Sequence, residues 1–531
     1  MPTPVVPYNP GLDGKFLVGY QGWFAAKGDG DPFTSANDSW IHWSNWLKGS
    51  PNASNVTVDM WPDTSEYSRL YPTAFTRQDG SPAALFSSYD ASTVQTHFRW
   101  MREYGIDGAV LQRFTINQPD PATMAFTAQV ALNVRAAAEA NGRVFCILID
   151  VAGTAPKTVV NDVINEWNID VNALHLTDSP NYLRDHGKPV VYLAEFGNVS
   201  RPAPTLAEAK QIVAYFKNAG VTVVGMTPFG WRTLEGDAVP DAGWLDVYHS
   251  YDVIVPWTVG SVSTLPQVDA YAQTRMTADI ADAAAHGQRY MPVVFPGFSR
   301  SNLCAIINDP AKCPEGVSFN SIPRQGGTFW WEQAVQYKRA GATMMYGAMF
   351  DEVDEGTAIF KLAPTQALTP AQAPFVTLDA DGYGLPSDWY LQLARETAAL
   401  LHGARAPASD FPLALPGHVA APSNANAQML YSRGSLNLRE NHFIERAGFV
   451  LYMQEDGNLV LKDPTGAQLW ASGTSGLCLT GGTPQACLVT YQFDGNLVVY
   501  NLVTGAGKAL GGIGSSALIF NRESANPLLF E

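Results

Sequence analysis

The sequence predicts a mixed α/β chain, a (β/α)8 TIM barrel over residues 1–402 followed by a small all-β domain over residues 428–531. Three observations lead there. Eight apolar runs rich in β-branched and aromatic residues recur at 16–24, 108–114, 144–151, 190–196, 223–229, 253–259, 291–298 and 344–350. Helical patterns separate most of them, at 91–104, 122–140, 206–219, 267–285 and 330–340. Continuous apolar strands alternating with amphipathic helices describe a parallel sheet covered on both faces, and eight such units describe a barrel. A doubly wound open sheet is the structural competitor. After a helix at 388–401 the composition changes. Residues 403–427 are rich in Pro and Ala and read as a linker, and the helical pattern then gives way to alternating strands punctuated by Gly, Asn and Asp.

Composition narrows the function classes. The chain of 531 residues is too long for one ordinary domain. With 49 acidic against 33 basic residues the net charge is -16, so nucleic acid and anionic membrane are poor partners. No apolar run reaches the ~20 residues that span a bilayer. The first residues carry neither a basic segment nor a hydrophobic core, so no signal peptide is expected in this sequence. Cys304 and Cys313, like Cys478 and Cys487, enclose eight residues each, a spacing that suits loop-closing disulfides, whereas Cys146 reads as a buried thiol. Two local pairs favour a secreted or extracellular setting.

The strand ends concentrate polar and aromatic residues: Gln21 and Trp23, Gln112 and Arg113, Asp150, Glu195, Trp231 and Arg232, Trp257, then Arg300. In a barrel these ends share one face, where active sites form. The eighth run leads into Phe350-Asp-Glu-Val-Asp-Glu-Gly-Thr357, four carboxylates within five residues. Like charges this close oppose each other's ionisation, so one carboxyl can serve as acid while another serves as base, the division of labour that glycosidic cleavage requires. A solvated acidic turn is the plainer reading. Trp23, Trp40, Trp43, Trp46, Trp61, Trp231 and Trp257 lie on or near expected loops, and a Trp face suits the C–H face of a pyranose. Core packing is the competing role for many of them.

An internal repeat marks the C-terminal domain. Met453-Gln-Glu-Asp-Gly-Asn-Leu-Val-Leu461 recurs 38 positions later as Tyr491-Gln-Phe-Asp-Gly-Asn-Leu-Val-Val499, followed by Tyr500. Gln, Asp and Asn spaced by two share a strand face and match the vicinal hydroxyls of a sugar, although Asp-Gly-Asn also builds turns. The pattern resembles the monocot mannose-binding, bulb-type lectins, a β-prism of three quasi-repeats. That resemblance implies a complete mannose site at Gln492, Asp494, Asn496 and Tyr500. It implies a second at Gln454, Asp456, Asn458 and Val460, with Lys462 in place of the tyrosine.

The acidic cluster resembles the Asn-Glu-Trp-His-Glu-Gly-Thr element of glycoside hydrolase family 99, the endo-α-mannosidases, and of the related family 71/99-like group. Glu352 and Glu355 fall on its glutamates and Gly356-Thr357 follow, while Asp351, Val353 and Asp354 replace its Asn, Trp and His. Further matching motifs include Val18-Gly-Tyr-Gln-Gly-Trp-Phe24, Asp59-Met-Trp-Pro-Asp63, Tyr89-Asp90 and Pro296-Gly-Phe-Ser299. The resemblance implies Glu355 as acid/base and Glu352 as the base on the sugar's own 2-hydroxyl, with retention through a 1,2-anhydro sugar. A two-carboxylate mechanism drawing on Asp150 or Glu195 is the alternative. Trp23, Asp59, Tyr89, Asp90, Asp150, Glu195 and Trp257 are the expected substrate contacts, and Arg232 and Arg300 are candidates for an acidic sugar.

No His-Glu-x-x-His, Cys-x-x-Cys or phosphate-cradling loop is present, and His is scarce and unclustered, so no metal and no cofactor are expected. The expected partners are a glycan substrate and a mannose-type sugar. The competing class is a non-catalytic lectin or toxin-like protein with a degenerate barrel.

Overall fold

The computed structural model describes residues 11–37, 39–45, 49–77, 79–118, 120–307, 313, 319–407 and 411–416. Further on it describes 438–439, 443–446, 449–454, 456–463, 465–477, 479–480, 483–484, 487–491, 497–501 and 507–511. The larger part is a TIM-barrel-like parallel sheet. Its strands are β1 (Phe16–Tyr20), β2 (Gly108–Phe114), β3 (Val144–Asp150), β4 (Lys188–Ala194), β5 (Thr222–Thr227), β6 (Val253–Pro256), β7 (Arg289–Tyr290), β8 (Val293–Val294) and β9 (Met345–Gly347). The hydrogen-bonded order is β7-β6-β5-β4-β3-β2-β1-β9-β8. The segments at the two ends of that path, β7 and β8, are consecutive stretches of one chain segment. Pro292 between them has no N–H to offer a ladder. Its carbonyl still accepts from Tyr346 at 3.0 Å, while the Met291 N–H turns to Ile254 at 2.9 Å.

Burial explains why these runs lack alternation. Every residue of β1, β3 and β5 is buried, as expected of a parallel sheet with helices on one side and a filled interior on the other. Helices follow the strands, two of them after β6 and none between β7 and β8: α1 (Ala91–Glu103), α2 (Pro121–Asn141), α3 (Val159–Asn168), α4 (Leu206–Asn218), α5 (Gly243–Tyr248), α6 (Leu265–Ala270), α7 (Thr277–Ala285), α8 (Thr328–Arg339) and α9 (Trp389–Leu401). Local chemistry sets their limits. Asp120 caps α2 by accepting from Thr123 N at 2.8 Å, Pro121 takes the first position, and Gly142 ends it at φ 60°. Thr205 and Glu208 form a capping box at the start of α4. The single helix expected at 267–285 is broken, with a π-turn at Tyr271–Met276 between α6 and α7.

Beyond the barrel two four-stranded antiparallel sheets carry the repeat. One orders Phe443–Arg446, Phe449–Met453, Leu459–Lys462 and Gln468–Ala471; the other orders Leu438–Arg439, Cys487–Tyr491, Leu497–Asn501 and Gly507–Gly511. The two copies of the motif occupy equivalent hairpins, 449–453 with 459–462 and 487–491 with 497–501. Most of the expected 403–427 linker lies outside the described residues.

The β2–β3 ladder begins where Gly108 faces Val144. A Cβ at Gly108 would lie 2.1 Å from the Val144 carbonyl oxygen, a backbone atom that cannot step aside. Gly108→Ala is therefore expected to lower stability by about 1–3 kcal/mol, read as a lower denaturation midpoint. An unchanged midpoint would contradict this register.

Candidate active site

The acidic turn is built from outside itself. Beyond β9 the chain is drawn to the end of β1: Phe350 N donates to Gly19 O at 2.7 Å, and Asp351 accepts from Gln21 N and Gly22 N at 2.8 Å each. Gly19 must be glycine, since a Cβ would sit 2.2 Å from the Met349 sulfur and the Tyr346 hydroxyl. On the far side Asp59 N and Met60 N donate to Val353 O at 2.9 and 3.1 Å, and Ser299 N donates to Glu355 O at 2.9 Å. Gly356 turns at φ 64° with Ser299 N 2.8 Å from where its Cβ would be. Behind it the buried Arg324 donates to Gly356 O and Ala358 O at 2.8 Å and stacks its guanidinium over Tyr390 at 4.4 Å. Asp351 is thus fully spent on the backbone, and Glu352 and Glu355 are the carboxylates of this turn that reach the cavity.

That cavity, of about 440 Å³, gathers the strand ends: Gln21, Trp23, Asp150, Glu195, Trp257, Arg300, Glu352 and Glu355 all line it. A second cavity of about 500 Å³ lies on the other flank and shares Trp23, Arg300, Glu352 and Glu355 with the first. The glutamates therefore face space on both sides. Trp23 is held as a rigid wall, its ring 3.8 Å from His42 and 6° from parallel, with Phe114 stacked at 5.6 Å. His42 in turn lies 3.4 Å from Asp354. The Cys304–Cys313 disulfide closes the loop after Ser301–Ile307, the helix whose Leu303, Ile306 and Ile307 line the second cavity.

Electrostatics separate the two glutamates. Glu352 is almost wholly buried and accepts from Gln21 Nε2 at 2.7 Å. Burial pushes its pKa well above the carboxylate range, and the charges of Glu355 and Asp354 push it further, against the Gln21 hydrogen bond. Glu355 is 27% exposed, with Arg300 at 3.5 Å. Burial raises its pKa too, and the Arg300 guanidinium opposes the rise. Across the cavity Asp150, fed by Gln112 Nε2 at 2.6 Å and Ala152 N at 2.7 Å, is raised to about 7 by burial and by Glu195. Glu195 is engaged by Arg201 at 3.0 Å and Asn198 at 3.3 Å, and it sits at φ 71°. For a non-glycine residue that conformation costs about 1–3 kcal/mol, held here at a strand end aimed into a site.

The other expected contacts lie elsewhere. Asp59 is buried behind the site, accepting from Ser301 N and Asn302 N at 2.7 Å and from the Ser299 hydroxyl, so it fixes the loop that carries Arg300. Asp90 precedes α1 and is paired with Arg69 at 2.6 Å and the Tyr71 hydroxyl at 2.9 Å. Tyr89 stacks on Phe126 at 6.0 Å. None of the three lines the central cavity. Trp40, Trp43, Trp61 and Trp231 are core, each at most 1% exposed; Trp46 lies outside the described residues. Arg232 is tied to Asp279 at 2.7 Å. Arg201, Asn198, Asp237 and Tyr346 also line the cavity. Sequence reasoning missed them, because the first three sit on loops without periodicity and Tyr346 is hidden inside an apolar run.

In the C-terminal domain Asp456 accepts from Asn458 N at 2.9 Å and from Ser475 Oγ at 2.5 Å. Asn458 Oδ1 accepts from Ser472 Oγ at 3.0 Å and Thr474 N at 3.3 Å. In this copy those side chains tie the turn to the 472–476 segment, while Gln454 is half-buried and Val460 buried. Of the other copy, Gln492, Asp494 and Asn496 lie outside the described residues, as does Cys478, and Tyr500 is placed on its strand, Leu497–Asn501.

Asp351 and Asp150 are raised to about 7 and Asp59 to about 6, in each case chiefly by burial. Unfolded, they would release their protons near pH 4. Between about pH 4 and 7 the folded chain thus binds more protons, and stability falls as pH rises through that window. The thermal midpoint of the barrel is expected to be higher at pH 5 than at pH 8. The reverse order would contradict this.

The chain is similar to mannose-specific lectins. It is 42% identical over 83 residues to that of Galanthus nivalis, covering 16% of this chain and 47% of the lectin. It is 45% identical over 73 residues to that of Aloe arborescens, covering 14% and 59%. The chain spans about half the length of the curated relatives it matches. Among solved structures it is similar to the GH99 endo-alpha-mannosidase from Bacteroides thetaiotaomicron, with a TM-score of 0.50 and 15% identity over 74% of this chain and 99% of that one. At that identity the likeness is one of fold. No family model matches the chain. The larger part of the molecule therefore has the fold of a GH99-type barrel, and the chain also carries a segment similar to bulb-type mannose-specific lectins.

Proposed function

We propose that the chain is a retaining glycoside hydrolase that cleaves an α-linked glycan of the mannan or N-glycan type. In this reading the barrel is a closed (β/α)8 unit, and the C-terminal β-prism holds the enzyme near its substrate by binding mannose-type sugars. One observation carries the catalytic reading. Two glutamates from a single braced turn reach into a cavity walled by Trp23 and Trp257 and charged by Arg300. Because they face cavities on both flanks, the bond they act on lies within an extended chain. The more exposed Glu355 protonates the departing oxygen and later takes a proton from water. The deeper Glu352 removes the proton of the sugar's 2-hydroxyl, whose oxygen closes on the anomeric carbon as the bond to the departing oxygen breaks; water then opens the new C1–O2 bond at C1 and Glu352 returns its proton to O2. The Cys304–Cys313 bridge agrees with a secreted enzyme.

A non-catalytic carbohydrate-binding protein is the second reading. Buried Val353 and Asp354 stand where the resembling family has Trp and His, and that favours it. Release of reducing sugar from α-linked mannans, glucans and N-glycan fragments separates the two. Wild-type turnover is expected to fall by at least about 10³-fold in Glu355→Gln and Glu352→Gln. Absent turnover with mannose binding intact would instead support the binding protein.

Glu352 must be ionised to act as a base, so the acid limb of kcat/KM is expected above the usual carboxylate range. The Gln21 hydrogen bond favours the ionised form. In Gln21→Leu the limb is expected to move up by about one pH unit. A limb that stays in place would remove Glu352 from the base role.

A further inference from the structure

Two of the nine histidines, 37 positions apart in the sequence, meet at one point of the fold. His249 follows α5 and precedes β6, Asp282 lies on α7, and His286 follows α7 four residues later, before β7. Among the described residues this trio is the group whose donor atoms could hold a metal ion, all lying within 4.8 Å of one another. His249 Nε2 is 2.9 Å from Asp282 Oδ2, His286 Nδ1 is 3.7 Å from the same oxygen, and the two imidazoles stack at 3.5 Å. We propose that His249, Asp282 and His286 form a site for a borderline divalent cation of the zinc type, distinct from the carboxylate cavity.

The donor set is two imidazoles and one carboxylate, which suits zinc with a water in the fourth position and does not suit calcium or magnesium. Donors bound tetrahedrally at about 2.0–2.2 Å lie roughly 3.3–3.6 Å apart, and the 2.9 Å from His249 and 3.7 Å from His286 to the Asp282 carboxylate bracket that spacing. The two rings stack within 10° of parallel and each imidazole lone pair lies in its own ring plane, so to share one ion the more exposed His286 ring turns out of the stack. Asp282 and His286 stand one helical turn apart on one face, a spacing that chelates. The three side chains keep between 21% and 41% of their surface open, so an ion can enter.

Placement assigns the site a structural role. Both turns run from a helix into a strand, which in this fold is the face opposite the strand C-terminal ends. The same two turns are already clasped by Gln288 Nε2, which donates to Tyr248 O and Tyr251 O at 2.8 Å. A cation there would add a second clasp between successive units, and activity would not depend on it.

The test is equilibrium dialysis of the full, chelator-treated chain against zinc, paired with thermal melts. The wild type is expected to retain one zinc more per chain than His286→Ala or His249→Gln, with affinity in each variant at least about 10-fold weaker. Its melting midpoint should rise with zinc while those of the variants stay put. Equal melting of all three without zinc shows that the variants fold. No zinc retained by the wild type, or equal retention by wild type and both variants, would overturn the site and leave the trio as a hydrogen-bonded clasp.

Discussion

The whole mouth of the barrel depends on one constraint, the fastening of the 350–357 turn to the end of the first strand. Its central element is the Asp351 carboxylate, which takes the backbone N–H groups of Gln21 and Gly22 at once. Two consecutive N–H groups turned toward one carboxylate leave the following residue, Trp23, at the cavity wall. The same two bonds set the direction in which Glu352 leaves the turn, and Gln21 then completes the link through its side chain. A catalytic side chain is placed to within fractions of an ångström only when its supports are themselves locked. Here the supports are backbone groups around Gly19, Asp59 and Ser299 together with the buried Arg324 guanidinium.

That arrangement is electrostatically expensive. Asp59, Asp150, Asp351 and Glu352 are all withdrawn from water and all favour their protonated forms. The cations set against them are few. Arg300 lies beside Glu355 and Arg201 beside Glu195, both at the rim, whereas the deeper acids rely on neutral hydrogen-bond donors. A fully compensated site would be more stable and less able to move protons, because carboxylates paired with arginine ionise early and stay ionised. Glu195 at positive φ adds conformational strain at the same rim. The molecule concentrates its unfavourable terms at this cavity, and it offsets them with a sheet whose β1, β3 and β5 are buried along their whole length.

Much of this was readable beforehand, for a physical reason. Parallel strands buried on both faces leave continuous apolar runs, so β1 to β6 stand out, and their polar ends mark the face where Asp150, Glu195, Trp257 and the glutamates converge. What the runs hide is contact between distant segments. Nothing local distinguishes Asp59, which braces a loop some 240 residues away, from an acid that touches substrate. The same holds for Asp90 and Tyr89, whose pairing with Arg69 and stacking on Phe126 are invisible in one dimension. Tryptophan is ambiguous for a different reason, because a large apolar ring suits the core and a sugar platform equally.

The C-terminal repeat shows the limit of motif reading from the other side. Spacing by two puts Gln454, Asp456 and Asn458 on one face only if the backbone stays extended through them. In the described copy it does not. Gly457 turns at φ 85°, and the oxygens of Asp456 and Asn458 are drawn into the 472–476 segment. A polar trio that closes its own turn has fewer groups free for hydroxyls, so the weaker match at Lys462 and the inward bonding of this hairpin point the same way.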